Sequence, residues 1–178
     1  STESASIGRR EPWVWGPYSR YGLTIAVFAL ILDQFNKWWM INVYDIGGRG
    51  RVEALPFLDL VYVLNRGISY SLFTLNSQEG QYLLASFAFL VAVVLVILLA
   101  RTTDTFLIAT GYGLIIGGAV GNAIDRLHLG GVADFYSLHV AGYYWYVFNI
   151  ADVAIVVGVV ALLADMLFSN RGGASNAP

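Results

Sequence analysis

Residues 121–152 read GNAIDRLHLGGVADFYSLHVAGYYWYVFNIAD and lie between two apolar runs long enough to cross a membrane. The stretch holds three aspartates, Asp125, Asp134 and Asp152. Each falls where hydrocarbon gives way to the interface or just inside it, and an ionisable group at that depth is costly enough to point to function. Asp134 precedes Asp152 by 18 residues, enough for the chain to leave one span, turn at Gly130 and Gly131, and return in the next.

Working outward, Tyr82–Ala100 is a 19-residue run without a charge and Thr105–Ile124 another of 20. Each meets the requirement of about 20 apolar residues for a transmembrane helix. Only residues 101–104 separate them, which predicts an antiparallel hairpin. Gly113, Gly117 and Gly121 recur every fourth residue, a spacing that lets another helix approach closely. A last span is expected from about Phe148 to Phe168, which puts Asp152 about one turn inside the membrane. A first is expected over Tyr21–Asn42, retained rather than cleaved because no small-residue cleavage pattern follows its apolar core. Within it Asp33 and Lys37 stand four apart on one helix face, in the order that favours pairing. Residues 1–20 read as a polar lead-in with headgroup-zone aromatics such as Trp13, Trp15 and Tyr18. Residues 169–178 read as a small, polar tail expected to be disordered.

Residues 43–80 cannot span, since Asp45, Arg49, Arg51, Glu53, Asp59 and Arg66 interrupt them. Within them Phe57–Phe73 is rich in aromatic and β-branched residues around Asn65, Arg66 and Gly67, which predicts two short strands about a turn and a small sheet at the membrane surface. Asn65, on local sequence alone, reads as a turn residue. With four spans both termini share one side, and residues 43–80 and 125–147 share the other. Counting Arg9, Arg10, Arg20, Arg101 and Arg171 against Lys37, Arg49, Arg51, Arg66 and Arg126 leaves orientation tied under the positive-inside rule.

Composition agrees with a single membrane domain, mainly α. The chain of 178 residues is 57% hydrophobic and 12% charged, where soluble domains average about 25% charged. A net charge of −2 with scattered basic residues argues against a nucleic-acid partner. The absence of cysteine excludes disulfides, thiol nucleophiles and thiolate metal sites. His128, Asp134 and His139 lack the spacing of a zinc motif, so no metal is expected. Asp125 followed by Arg126 reads as a local ion pair closing the third span, a structural role.

Chemistry then rests on carboxylates. If Asp134 and Asp152 meet, repulsion and desolvation leave one protonated and the other ionised near neutrality. The carboxylate can take a proton from water while the acid polarises a scissile carbonyl. Two readings compete: an ion-coupled carrier relaying charge through Asp33, Asp134 and Asp152, and a non-catalytic helical scaffold. The lack of internal repeats weakens the first.

GNAIDR at 121–126, VADF at 132–135 and FNIAD at 148–152, preceded by DQFNK at 33–37 and NRGISYS at 65–71, resemble in order and spacing the signature blocks of bacterial lipoprotein signal peptidase. This is the type II signal peptidase, an intramembrane aspartyl protease. The resemblance implies that Asp134 and Asp152 are the catalytic dyad and that Asp125 is not part of it. Asn65, Asn122, Arg126 and Asn149 are implied to orient the dyad or hold the substrate backbone, with Asp33, Lys37 and Gly67 in support. The implied fold is four transmembrane helices with a small periplasmic β-sheet cradle and a short interfacial helix, termini in the cytoplasm of a bacterial inner membrane. The implied reaction removes the signal peptide from diacylglyceryl-modified prolipoproteins, on the amino side of the lipidated cysteine. No cofactor is implied, membrane lipids and lipidated substrates are the expected partners, a monomer is expected, and the peptide antibiotic globomycin is the expected inhibitor. Ile68, Ser69 and Tyr70 depart from the commoner two alanines and phenylalanine, which bears on substrate preference.

Overall fold

The computed structural model describes residues 15–67, 77–101 and 105–172. The polar lead-in before residue 15, the triplet Ile68, Ser69 and Tyr70, the second strand expected up to Phe73, and the end of the tail at 173–178 lie outside the described residues. In chain order the elements are α1 (Ser19–Asn42), α2 (Ile46–Arg49), β1 (Val52–Leu55), β2 (Leu58–Asn65), α3 (Gln78–Arg101), α4 (Phe106–Leu129), β3 (Val132–Val140), β4 (Tyr143–Phe148) and α5 (Ile150–Gly172). Among the described residues α3, α4 and α5 are long and apolar enough to cross a membrane. α1 has the same length as α3, 24 residues, but it carries Asp33 and Lys37 and falls outside that group.

α4 is the central post, packed against α1, α3 and α5. Its small residues explain this. A Cβ added at Gly117 would fall on the carbonyl oxygen of Ala26 in α1 and 2.8 Å from the Ala29 Cβ. One added at Gly118 would fall 2.5 Å from the carbonyl oxygen of Ala151 in α5. Backbones therefore ride directly on two faces of α4, as small-residue stripes permit. Gly117→Ala is expected to push α1 off α4 and cost about 1–3 kcal/mol, the usual penalty for overpacking. Unfolding in mixed micelles measures it, and an unchanged midpoint contradicts the packing described.

The helix ends have local causes. α4 opens on Thr105, whose hydroxyl accepts from the Ile108 N–H at 3.1 Å, and stops at Gly130, which takes φ 71° in the left-handed C-cap position. It therefore runs beyond the expected end at Ile124, so Asp125 and Arg126 sit in its last turns rather than in a connecting segment. α5 runs to Gly172, so the first residues of the tail expected to be disordered are helical.

The sheet is antiparallel throughout, in the order β1-β2-β3-β4. β2 ends at Asn65 and pairs with β1 and β3. Val132–Phe135 of β3 is buried throughout. Ala133 and Phe135 pack with Met40 and Ile46, and strand alternation then turns Asp134 to the opposite face. At the far end of the sheet, Asp59 is 2.7 Å from Arg51 Nη1 and 3.1 Å from His139 Nε2. The hydrogen bond from the Arg51 guanidinium holds the Asp59 carboxyl below the usual carboxylate range.

Candidate active site

α5 begins with a capping box. The Asn149 Oδ1 accepts from the Asp152 N–H at 3.0 Å, and Asp152 Oδ2 accepts from the Asn149 N–H at 3.3 Å. This is the reciprocal pairing of N-cap and third helical residue that satisfies two orphan donors. FNIAD is thus a helix-start motif first, and the cap pins the Asp152 side chain just past the end of β4 at Phe148. The second Asp152 oxygen, Oδ1, accepts from Asn122 Nδ2 at 2.9 Å.

Since its Oδ1 is taken by the cap, Asn149 has only its amide nitrogen left to point elsewhere. Nδ2 donates to Asp134 Oδ1 at 2.6 Å and to Asn122 Oδ1 at 3.2 Å. Asn149 therefore touches both Asp134 and Asp152. The same logic fixes Asn122: its Oδ1 accepts from Asn149 and, at 3.2 Å, from Lys37 Nζ, so its Nδ2 faces Asp152. Each amide has one orientation that satisfies its neighbours.

Asp134 is 1% exposed. Its Oδ2 accepts from Asn65 Nδ2 at 3.1 Å, while Asn65 Oδ1 accepts from the Gly67 N–H at 3.0 Å. Asn65 is thus the turn residue expected from local sequence and a ligand of Asp134 at once. Gly67 takes φ 92°, which a side chain would strain. Burial raises the Asp134 pKa to about 6, with the Asp152 charge adding to the rise and the two asparagine amides opposing it.

Beneath this pair lies a buried ionic knot. Lys37 Nζ is 2.8 Å from Asp33 Oδ2 and 2.7 Å from Asp125 Oδ2. Asp33 Oδ1 accepts from the Ala151 N–H at 2.9 Å, capping α5 from α1. Asp125 Oδ2 accepts from the Ala133 N–H at 3.1 Å, next to Asp134. The expected local Asp125–Arg126 pair is corrected: Asp125 binds Lys37. Adjacent helical residues do not face each other, and Arg126 Nη1 instead reaches the Asn122 carbonyl at 3.2 Å. Arg126 Nε is buried and has no acceptor among the described residues.

Sequence reasoning passed over two neighbours. Gln34 Nε2 bridges Asp33, the Gly121 carbonyl and Asp125 at 3.0–3.2 Å; its place inside DQFNK is the signal that could have found it. Tyr146 of β4 has its phenol pushed up by burial and by the charges of Asp152 and Asp134, and nothing in YYWYV singles it out. His128, Asp134 and His139 do not come together, and no group of three or more metal-binding side chains forms among the described residues.

A family model described as signal peptidase (SPase) II matches residues 25–168. The chain belongs to the signal peptidase II family. It is therefore a peptidase, a hydrolase, and its apolar helices make it a membrane protein. The lipoprotein signal peptidase of Rhodopseudomonas palustris strain TIE-1 is 53% identical over 152 residues, covering 83% of this chain and 92% of that one. That of Nitrobacter hamburgensis is 51% identical over 163 residues, covering 89% and 98%. That of Beijerinckia indica is 48% identical over 148 residues, covering 83% and 88%. The fold is also similar to a bacterial membrane enzyme solved by the in meso method at 2.3 Å, with TM-score 0.74, 24% identity, and coverage of 93% of this chain and 98% of that one. A second such enzyme, solved at 1.9 Å, gives TM-score 0.71 at 27% identity, covering 83% and 93%. The hydrogen bonds above join residues of all five blocks of this signal peptidase II family member, NRGISYS through its described residue Asn65.

Proposed function

We propose that this chain is an intramembrane aspartyl endopeptidase that removes the signal peptide from diacylglyceryl-modified prolipoproteins, cutting on the amino side of the lipidated cysteine. The observation that carries this reading is Asn149, one side chain that caps the helix of Asp152 and donates to Asp134. Asp134, with a pKa of about 6, holds the proton and polarises the scissile carbonyl. Asp152 takes a proton from water, whose oxygen attacks the carbonyl carbon. The resulting diol collapses as the C–N bond breaks, and a proton passes to the departing cysteine nitrogen. In this reading Arg126, whose Nε–H has no acceptor among the described residues, and Asn65 hold the substrate backbone. No cofactor or metal takes part.

In this reading α1 is a fourth span. Its 24 residues reach about 36 Å, beyond the roughly 30 Å of hydrocarbon, and Phe28, Ile31 and Phe35 face outward. The chain is then a multi-pass monomer of the bacterial inner membrane with cytoplasmic termini, and the sheet and dyad lie at the periplasmic face. α2 is the short interfacial helix. A carrier relay through Asp33 is disfavoured, because both Asp33 oxygens are held by Lys37, Gln34 and the α5 backbone.

The test is purified protein in nanodiscs with a diacylglyceryl-modified prolipoprotein and its unmodified counterpart. Cleavage of the modified form alone, blocked by globomycin, is expected; cleavage of neither, with no globomycin binding, overturns the reading. The pH dependence follows from Asp134. Its pKa is raised, so the acid form falls away as pH rises through about 6, and kcat/KM declines on that alkaline side. Stability has the same sign. The folded state binds the proton more tightly than the unfolded chain, so stability falls as pH rises from 3.8 through about 6. Asp134→Asn should abolish that slope in pH-dependent unfolding.

A further inference from the structure

Tyr146 stands in a β-bulge. β3 and β4 pair Tyr136 with Phe148 and Ser137 with Val147, but then His139 with Tyr144, so Trp145 and Tyr146 together oppose Leu138. Ring contacts mark the two faces of the sheet: Phe148 meets Tyr136 at 5.9 Å between centroids, and Tyr144 meets His139 at 5.1 Å. By alternation Tyr136 shares the Asp134 face and His139 does not. Counted from Tyr144, Tyr146 would fall on the His139 face. The extra residue returns it to the face of Asp134, the re-aiming that bulges provide beside active sites. Leu138, Trp145, Tyr146 and Phe148 accordingly line one groove with Asp152.

We propose that the Tyr146 hydroxyl is a second donor to the scissile carbonyl, forming with Asp134 a two-donor oxyanion site. The inference rests on the endopeptidase reading above and adds a catalytic residue to it. Hydrogen-bond direction carries it. Asn65 Nδ2 has two hydrogens, and one goes to Asp134 Oδ2 at 3.1 Å. The same side chain hydrogen-bonds the Tyr146 phenol in the sense that favours the phenolate, so the amide donates and the phenolic oxygen accepts. The phenolic hydrogen is therefore left to point away from Asn65. Two acceptors on one amide NH₂ stand about 5 Å apart at ordinary hydrogen-bond lengths, which is also about the span of two donors flanking one carbonyl oxygen. A substrate oxygen that accepts from the Asp134 acid thus lies within reach of the phenol. Burial and the charges of Asp152 and Asp134 hold that phenol protonated, so it donates without giving up its proton. As the water oxygen bonds to the carbonyl carbon, the charge developing on the carbonyl oxygen meets two O–H groups instead of one. Tyr146 is 62% exposed where Asp134 is 1% exposed, which puts the hydroxyl on the open side of the dyad.

Tyr146→Phe keeps the ring and removes the oxygen alone, and at so exposed a position the unfolding midpoint in mixed micelles should match wild type. Tyr143→Phe, at a residue 84% exposed in the β3–β4 hairpin, removes a hydroxyl remote from the dyad. With a diacylglyceryl-modified prolipoprotein in nanodiscs, Tyr146→Phe is expected to lower kcat about 10²-fold, as for one lost oxyanion donor. KM should stay within about twofold, since the bond strengthens only in the transition state. The alkaline decline through about pH 6 set by Asp134 should not move, and Tyr143→Phe should behave as wild type. A wild-type kcat in Tyr146→Phe overturns the proposal. So does a fall in kcat that comes with a displaced alkaline decline, because the phenol then acts only through Asn65 on Asp134. If the wild type leaves the lipidated substrate intact, the endopeptidase reading itself fails and the donor role falls with it.

Discussion

Asp134→Asn and Asp152→Asn should each lower turnover of a diacylglyceryl-modified prolipoprotein by about 10⁴-fold, the upper range for removing a positioned acid or base. The two fail for different reasons. Asparagine at 152 cannot take a proton from water; its one oxygen can keep the α5 cap by accepting from the Asn149 N–H, but its NH₂ then meets the Asn122 NH₂. Asparagine at 134 cannot give up a proton, and like asparagine at 152 it lacks a second acceptor. Asp134 accepts from two amides, Asn149 at 2.6 Å and Asn65 at 3.1 Å, so an NH₂ there must face another NH₂. The loss in both variants should appear in kcat as well as kcat/KM, since the lost interactions act in the transition state. A carrier mechanism predicts instead that Asp134→Asn is tolerated while Asp152 remains.

Lys37→Met is expected to be the most destabilising substitution in the molecule. The Lys37 side chain is 4% exposed and its ammonium lies within 2.8 Å of two buried carboxyl groups. Removing it strands both charges, a change that typically costs about 3–5 kcal/mol. Asp33 and Asp125 cap the α5 backbone and the start of β3, so Asp134 and Asp152 lose supports at the same moment. Lys37 also donates to the Asn122 amide oxygen, so its loss leaves Asn149 alone to fix the amide that faces Asp152. Replacing Asp33 and Asp125 with asparagine in the same chain should restore much of the stability, because no stranded charge remains, but little of the activity. Denaturation in mixed micelles separates the two effects. Wild-type stability in Lys37→Met would mean that the knot contributes nothing.

How far the sequence reaches is visible residue by residue. Asp33 and Lys37 are legible as a pair because four residues on one helix bring them together whatever the tertiary fold. Asp125, the third member, is not, because its partner lies on another helix; local adjacency points to Arg126, which its own helix turns away. The apolar runs of α3 and α4 are legible by length alone. The ends of α4 and α5 are less so, since Asp125 and Arg126 look like a boundary in hydropathy but are helical, held by the knot and stopped only at Gly130. The link between Asp134 and Asp152 is permitted by spacing and implied by resemblance, yet the way they are held depends on the amide orientations of Asn122 and Asn149. Those follow from a network across four elements. The groove beside Asp152 arises from β3, β4 and α5 together and has no local signature.

The central claim is that Asp134 and Asp152 act together in one hydrolysis. Its most direct test follows the mass of a diacylglyceryl-modified prolipoprotein incubated in nanodiscs with wild type, Asp134→Asn and Asp152→Asn, each first shown to be folded. Loss of the signal peptide with wild type, leaving an N-terminal lipidated cysteine, and an intact substrate with both variants is the predicted result. Cleavage by either variant at near the wild-type rate would contradict it.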